Sequence, residues 1–166
     1  SGAGGVSFEG SGATGNLVLG NYIGTDVTGT AAMGNASVGG VSVHGAPGNI
    51  IGGTTGGARN VISGNSGPGI HIWGDGATGN LVQGNFIGTD VTGTDALGNT
   101  TSDGAFINNT PGNTVGGTAP GAGNVLSGNG DHGVEIFGTA ATDNFVQGNY
   151  IGTDVTGTAV LGNLFH

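Results

Sequence analysis

Apolar and polar residues alternate over four or five positions at a time, and each such run is closed by Gly or Asn. GVSFEG at Gly5, GVSVHG at Gly40, GIHIWG at Gly69, GAFINN at Gly104 and GVEIFG at Gly133 all follow this pattern. Side chains alternate faces along a strand, so apolar residues two apart put one face of a short strand into a core. Two shorter segments follow each run in fixed order, first N-x-[apolar]-x and then N-x-[apolar]. Three short strands per repetition, bounded by corner residues, predict one turn of a β-solenoid. The first strands start 35, 29, 35 and 29 residues apart, which gives about five turns.

The alternation of long and short turns makes a 64-residue, two-turn repeat. NLVLGNYIGTDVTGTAAMGN from Asn16, NLVQGNFIGTDVTGTDALGN from Asn80 and NFVQGNYIGTDVTGTAVLGN from Asn144 align without gaps at that spacing. Almost nothing lies outside the register, so residues 1–166 read as a single β-helix domain. Each strand lies on its counterpart one turn later, which requires parallel pairing, and connection rules favour right-handed winding. The expected fold is therefore all-β, a right-handed parallel β-helix. Strand parity points four columns inward: Val6/Val41/Ile70/Ala105/Val134, Phe8/Val43/Ile72/Ile107/Ile136, Val18/Ile51/Val82/Val115/Val146 and Ile23/Ile62/Ile87/Leu126/Ile151.

Asn recurs at two corners of every turn. Asn16, Asn49, Asn80, Asn113 and Asn144 form one set, and Asn21, Asn60, Asn85, Asn124 and Asn149 the other. Asn tolerates the left-handed backbone of a sharp corner, and its amide can bond to the turns above and below as a ladder. These ten residues are read as structural.

Composition then removes whole classes of function. With 42 Gly and 4 Pro in 166 residues and only 7% charged, an ordinary helical or α/β domain is ruled out. One basic residue, Arg59, stands against ten acidic ones, for a net charge of −9. Phosphate backbones and anionic membranes find nothing to attract them, so neither nucleic acid nor membrane insertion is expected. Cysteine is absent, which excludes disulfides and thiolate metal sites.

The run GNxIGTDxTGTxxxGN, followed by NxxGGT…NVxSGN, resembles the right-handed parallel β-helix repeats of large secreted bacterial surface proteins. That broad fold also hosts pectate lyases. The resemblance spans essentially the whole chain and implies an extracellular or bacterial cell-surface setting. It says little about activity, since one fold carries many.

Candidate chemistry sits in three places. The outward columns of the first strands, Ser7/Ser42/His71/Phe106/Glu135 and Glu9/His44/Trp73/Asn108/Phe137, vary most between turns. His44, His71, Trp73, Phe106, Asn108, Glu135 and Phe137 make this the candidate ligand-facing surface, suited to stacking and hydrogen-bonding glycans. The alternative reading is a solvated face whose aromatics stack within their own columns. In the long turns, Asp26, Asp90 and Asp154 recur beside Thr and Gly, as turn-forming residues or as oxygen donors to calcium. No other cofactor is implied. Copies of this insert are expected about 10 Å apart, at two strand spacings. Asp103 and His132 should stack one strand spacing apart, with Asp131 and Glu135 nearby, a pairing that can hold a metal or act as a base.

No catalytic constellation follows. A uronate lyase needs a basic side chain, and Arg59 in TTGGARN is the one available. A hydrolase needs two carboxylates roughly 5–9.5 Å apart, and Glu9 and Glu135 stand four turns apart. The chain is expected not to be an enzyme but a structural or adhesive module. Carbohydrate binding or turnover on the strand-1 face is the alternative. Three N-x-[ST] sequons, at Asn35, Asn99 and Asn108, are noted as chance-prone matches. Two outward columns, Leu17/Ile50/Leu81/Thr114/Phe145 and Tyr22/Val61/Phe86/Val125/Tyr150, are apolar, and the inserts are expected to fold back over the second. Neither end carries a capping pattern, so flanking repeats or end-to-end self-association into a filament are the expected partners.

Overall fold

The structure is a computed structural model that describes residues 4–36 and 38–165. Ser37, which completes one sequon, and His166 lie outside the described residues. Fifteen strands follow one another in threes. The first turn holds β1 (Val6–Glu9), β2 (Leu17–Val18) and β3 (Tyr22–Ile23), and the second β4 (Val41–His44), β5 (Ile50–Gly52) and β6 (Val61–Ile62). Next come β7 (Ile70–Trp73), β8 (Leu81–Gln83) and β9 (Phe86–Ile87), then β10 (Ala105–Asn108), β11 (Thr114–Gly116) and β12 (Val125–Leu126). The fifth turn holds β13 (Val134–Phe137), β14 (Phe145–Gln147) and β15 (Tyr150–Ile151). A single 3₁₀ turn, Gly56–Ala58, is the helical structure among the described residues.

Three parallel five-stranded sheets run along the axis, in the orders β1-β4-β7-β10-β13, β2-β5-β8-β11-β14 and β3-β6-β9-β12-β15. The chain is thus an all-β parallel β-solenoid of about five turns. Register is the one the sequence columns require: Val6 faces Val41, Val41 faces Ile70, Ile70 faces Ala105 and Ala105 faces Val134. Inward residues of the middle turns are sealed, with Val43, Ile51, Ile62, Ile72, Ile87, Ile107 and Leu126 at 1% exposure or less. A fifth interior column passed unnoticed in the sequence. It runs through the corner between the first two sheets as Ala13, Ala46 and Ala77, continued by the buried Thr110, whose hydroxyl donates to Ala77 O at 2.9 Å. Only small side chains fit where the wall bends.

Both expected Asn ladders form. In each, an Asn Oδ1 accepts from the backbone N–H of the Asn one turn earlier and, at every rung but Asn113–Asn144, from its amide as well. Asn49 Oδ1 takes both bonds from Asn16 at 2.9 Å, and Asn85 Oδ1 takes them from Asn60 at 3.2 and 2.8 Å. In the second ladder the amide also reaches back one turn to a strand carbonyl, as Asn85 Nδ2 does to Ile51 O at 2.9 Å. A third ladder, missed in the sequence, joins Asn35, Asn65, Asn99, Asn129 and Asn163 at the corner ahead of the first strands. Asn99 is buried within it, which removes that sequon from solvent.

Glycine is obligatory where the wall turns tightest. Gly52 and Gly116 end β5 and β11 with φ of 83° and 94°, and a Cβ on either would collide with the carbonyl oxygen of Gln83 or Gln147. Left-handed backbone and a close neighbour exclude other residues independently.

The inserts fold as expected over the Tyr22 column, but they also meet one another. Each closes on itself through an antiparallel bridge, Thr25 with Ala32, Thr89 with Ala96 and Thr153 with Val160. Val91 N then donates to Gly29 O at 3.0 Å, and Val155 N to Gly93 O at 2.9 Å. The two-turn gap expected between copies is filled by the loops themselves. Val91 and Val155 pack on the buried Val61, Phe86 and Val125. The other apolar stripe keeps its outer residues open, with Leu17 and Phe145 exposed.

Candidate functional site

The outward face of the β1-β4-β7-β10-β13 sheet carries the residues singled out for ligand contact, and the register stacks them along the axis. His44 and Trp73 lie face to face with centroids 3.8 Å apart and planes 11° apart. His71 and Phe106 stack at 4.9 Å in the neighbouring column, and His71 also lies 5.4 Å from Trp73. The Trp73 indole N–H donates to Ser42 Oγ at 3.3 Å. Rings one turn apart therefore cover each other's faces. A sugar stacking on this sheet would need a free ring face, and the inner aromatics present edges instead. Phe137, at the end of its column, is exposed. His71 Nε2 and Asn108 Oδ1 are buried without a hydrogen-bond partner among the described residues. Burial, with a smaller contribution from the charge of His44, pushes His71 down to about 4.

The second cluster sits at the corner leading into β10 and β13. Asp103 and His132 each precede the Gly that opens a strand, so parallel register puts them one above the other. His132 Nδ1 lies 3.0 Å from Asp103 Oδ1 and 2.9 Å from Asp131 Oδ1. The His132 backbone N–H also donates to Asp103 Oδ1, at 3.1 Å. Ligand atoms of Asp103, Asp131 and His132 all fall within 4.8 Å of one another, the one such group among the described residues. The hydrogen bond to Asp103 raises His132 above its ordinary value; burial opposes it, and the charges of Asp131, Asp103 and Glu135 add to the rise. Burial first, and then the charge of Asp103, push the Glu135 carboxyl up. The sequence pointed to this pairing through the shared position before Gly.

The repeated Asp residues of the inserts are turn-formers. Asp26 Oδ2 accepts from the Thr28 hydroxyl at 2.7 Å, and Oδ1 from the backbone N–H groups of Thr30 and Ala31 at 3.0 and 3.1 Å. Asp90 and Asp154 repeat the arrangement with Thr92 and Thr156. The Thr28 hydroxyl, followed by the Ala31 and Thr30 amides, holds Asp26 below the usual carboxylate value. Each carboxylate accepts from a hydroxyl and backbone N–H groups of its own loop, as in an Asx-type turn. Arg59 is equally occupied. Its guanidinium lies 4.0 Å over the Phe86 ring and its Nε donates to Gly84 O at 3.1 Å.

Among protein-family models, curated proteins and solved structures, none matches this chain.

Proposed function

We propose that the chain is a non-catalytic rod module of an extracellular bacterial surface protein, continued along its axis by flanking repeats of its own kind. The observation that carries this reading is the insert stack. Inside the chain, the valine of each insert docks on the glycine of the insert two turns earlier, backbone N–H to carbonyl. Val27 is the same docking element, left 90% exposed with no insert docked beneath it among the described residues. At the other end Gly157 and Tyr150 form the matching socket, with Tyr150 at 45% exposure. Both halves of a contact that the chain makes twice internally stand open.

Loop height selects the neighbour. An insert occupies two strand spacings, about 9.6 Å, because an insert-free turn separates each pair. The first and fifth turns both carry inserts, so two copies docked end to end would force two inserts into about 4.8 Å. A turn without an insert fits at either end. Flanking repeats of alternating length are favoured over direct stacking of this chain into a filament. Such a contact is heterologous and propagates without closing.

The test compares this chain with one extended by a copy of residues 103–132, which keeps the register, using light scattering and electron microscopy. The extended chain should form rods that lengthen with concentration, and the five-turn chain should not. Regular filaments of the five-turn chain would overturn the selection of neighbours. Incubation with a polysaccharide panel, followed by product analysis, tests the non-catalytic part. Turnover abolished by a change at His132 or Glu135 would replace it with a carbohydrate-active enzyme. Glycan-array binding lost in Trp73→Ala would replace it with a binding module.

A further inference from the structure

The corner cluster before β10 and β13 has a chemistry that the rod does not need. Asp103 is buried, with its side chain 5% exposed, and no Lys or Arg is near it. The chain's single basic residue, Arg59, is committed to Phe86. Among the described residues both hydrogen bonds that Asp103 accepts from His132 fall on Oδ1, and the Glu135 carboxyl lies against the same carboxylate. Asp131 and Glu135 bring two more carboxylates to the same corner. A buried carboxylate among like charges needs a cationic partner, which the His132 imidazole or a metal ion held with it can supply.

The donor atoms are spaced for one. Ligands about 2.1 Å from a common ion and at right angles to each other lie about 3.0 Å apart. His132 Nδ1 is 3.0 and 2.9 Å from the two Asp oxygens. We propose that Asp103, Asp131 and His132 bind a first-row divalent transition-metal ion in an octahedral arrangement. One imidazole nitrogen among carboxylates selects Mn²⁺ to Zn²⁺ over calcium, which prefers an all-oxygen set of six to eight. The ion crosslinks the fourth and fifth turns, since Asp103 comes from one corner and Asp131 and His132 from the next. Asp131 and His132 are more than a third exposed, so the ion enters from solvent and keeps water on its open positions.

Isothermal titration of the chelator-treated chain with ZnCl₂, MnCl₂ and CaCl₂ tests the proposal. Zn²⁺ or Mn²⁺ should bind with one-to-one stoichiometry, at least tenfold more tightly than Ca²⁺. Asp131→Asn and His132→Ala, at exposed positions, should each weaken binding tenfold or more, and so should Asp103→Asn if that variant keeps the wild-type circular dichroism. His44→Ala and His71→Ala should leave it unchanged. Substoichiometric Mn²⁺ should broaden the Gly133 and Gly104 amide resonances before any on the His44 side of the sheet. Absence of saturable binding below millimolar metal overturns the proposal. Binding that survives His132→Ala and is lost in His44→Ala overturns it equally.

Discussion

A buried asparagine in this wall satisfies groups on both neighbouring turns. Asn85 accepts from Asn60, donates to Asn124 Oδ1 at 3.0 Å and reaches Ile51 O at 2.9 Å. Replacement by Ala orphans several buried groups, each costing about 1–3 kcal/mol. Asn85→Ala should lose about 3 kcal/mol or more in denaturant unfolding. Asn85→Asp should do no better, since its second oxygen would face two acceptors. Asn16→Ala, at the first rung, should cost about 1 kcal/mol. Equal costs for the two Ala variants would mean that the ladders do not act through burial. His71 adds a pH dependence. Its pKa falls from 6.5 to about 4 on folding, so between those values the unfolded chain holds a proton that the folded chain lacks. Stability should therefore drop as pH falls through that window and level off, for this residue, below it. Thermal melts at pH 7 and 5 should differ less in His71→Phe than in the wild type. An unchanged difference would assign the acid sensitivity to other groups.

Among the strands and loops, the uniform aliphatic columns made the sheets, their order and their register legible in the sequence. The third Asn ladder was equally periodic, at spacings of 30, 34, 30 and 34 residues, yet escaped notice. Its members follow an insert in MGN and LGN but a strand in SGN. The insert leaves the wall and returns to the same corner, so its residues add nothing along the axis. The contact between inserts was hidden for a related reason, because strand spacing fixes the wall but not the height of a loop. Ring stacking on the outer face was legible as the alternative to a ligand surface, without its geometry. Register says that His44 lies over Trp73, but rotamers decide that their faces close on each other. The insert contact predicts different outcomes at one repeated position. Val155→Asp should uncover Phe86 and Val125, lower stability by about 1–2 kcal/mol and increase binding of an apolar dye. Val27→Asp, with no insert docked beneath it among the described residues, should change neither. Matching effects would show that the inserts are solvated loops rather than a covering layer.

For the whole molecule, each turn touches its neighbours and, through the inserts, the turn two away, so stability is a sum of turn and interface contributions that weakens toward the ends. One inward column displays the gradient with a single residue type. Ile72 and Ile107 are sealed at 1% and 0% exposure, whereas Ile136 on the fifth turn is 41% exposed. Val146 and Ile151 beside it are similarly open, at 40% and 46%. Truncating a sealed isoleucine removes its burial and leaves a cavity between two fixed strands, a loss of about 2–5 kcal/mol. Truncating Ile136 removes less buried area and opens no enclosed space, so its cost should stay below about 1.5 kcal/mol. Ile72→Ala and Ile136→Ala, compared by urea unfolding, measure that difference directly. Amide exchange should follow the same profile. Protection should peak in β7, β8 and β9 and fall toward β1 on one side and β13 to β15 on the other, because end turns open without breaking the middle. Adding a flanking turn at the fifth-turn end should bring Ile136→Ala to the cost of Ile72→Ala and move the protected region toward β13. If both measurements stay as they were, the fifth turn's exposure is not that of an unfilled interface, and the rod does not gain stability by growing.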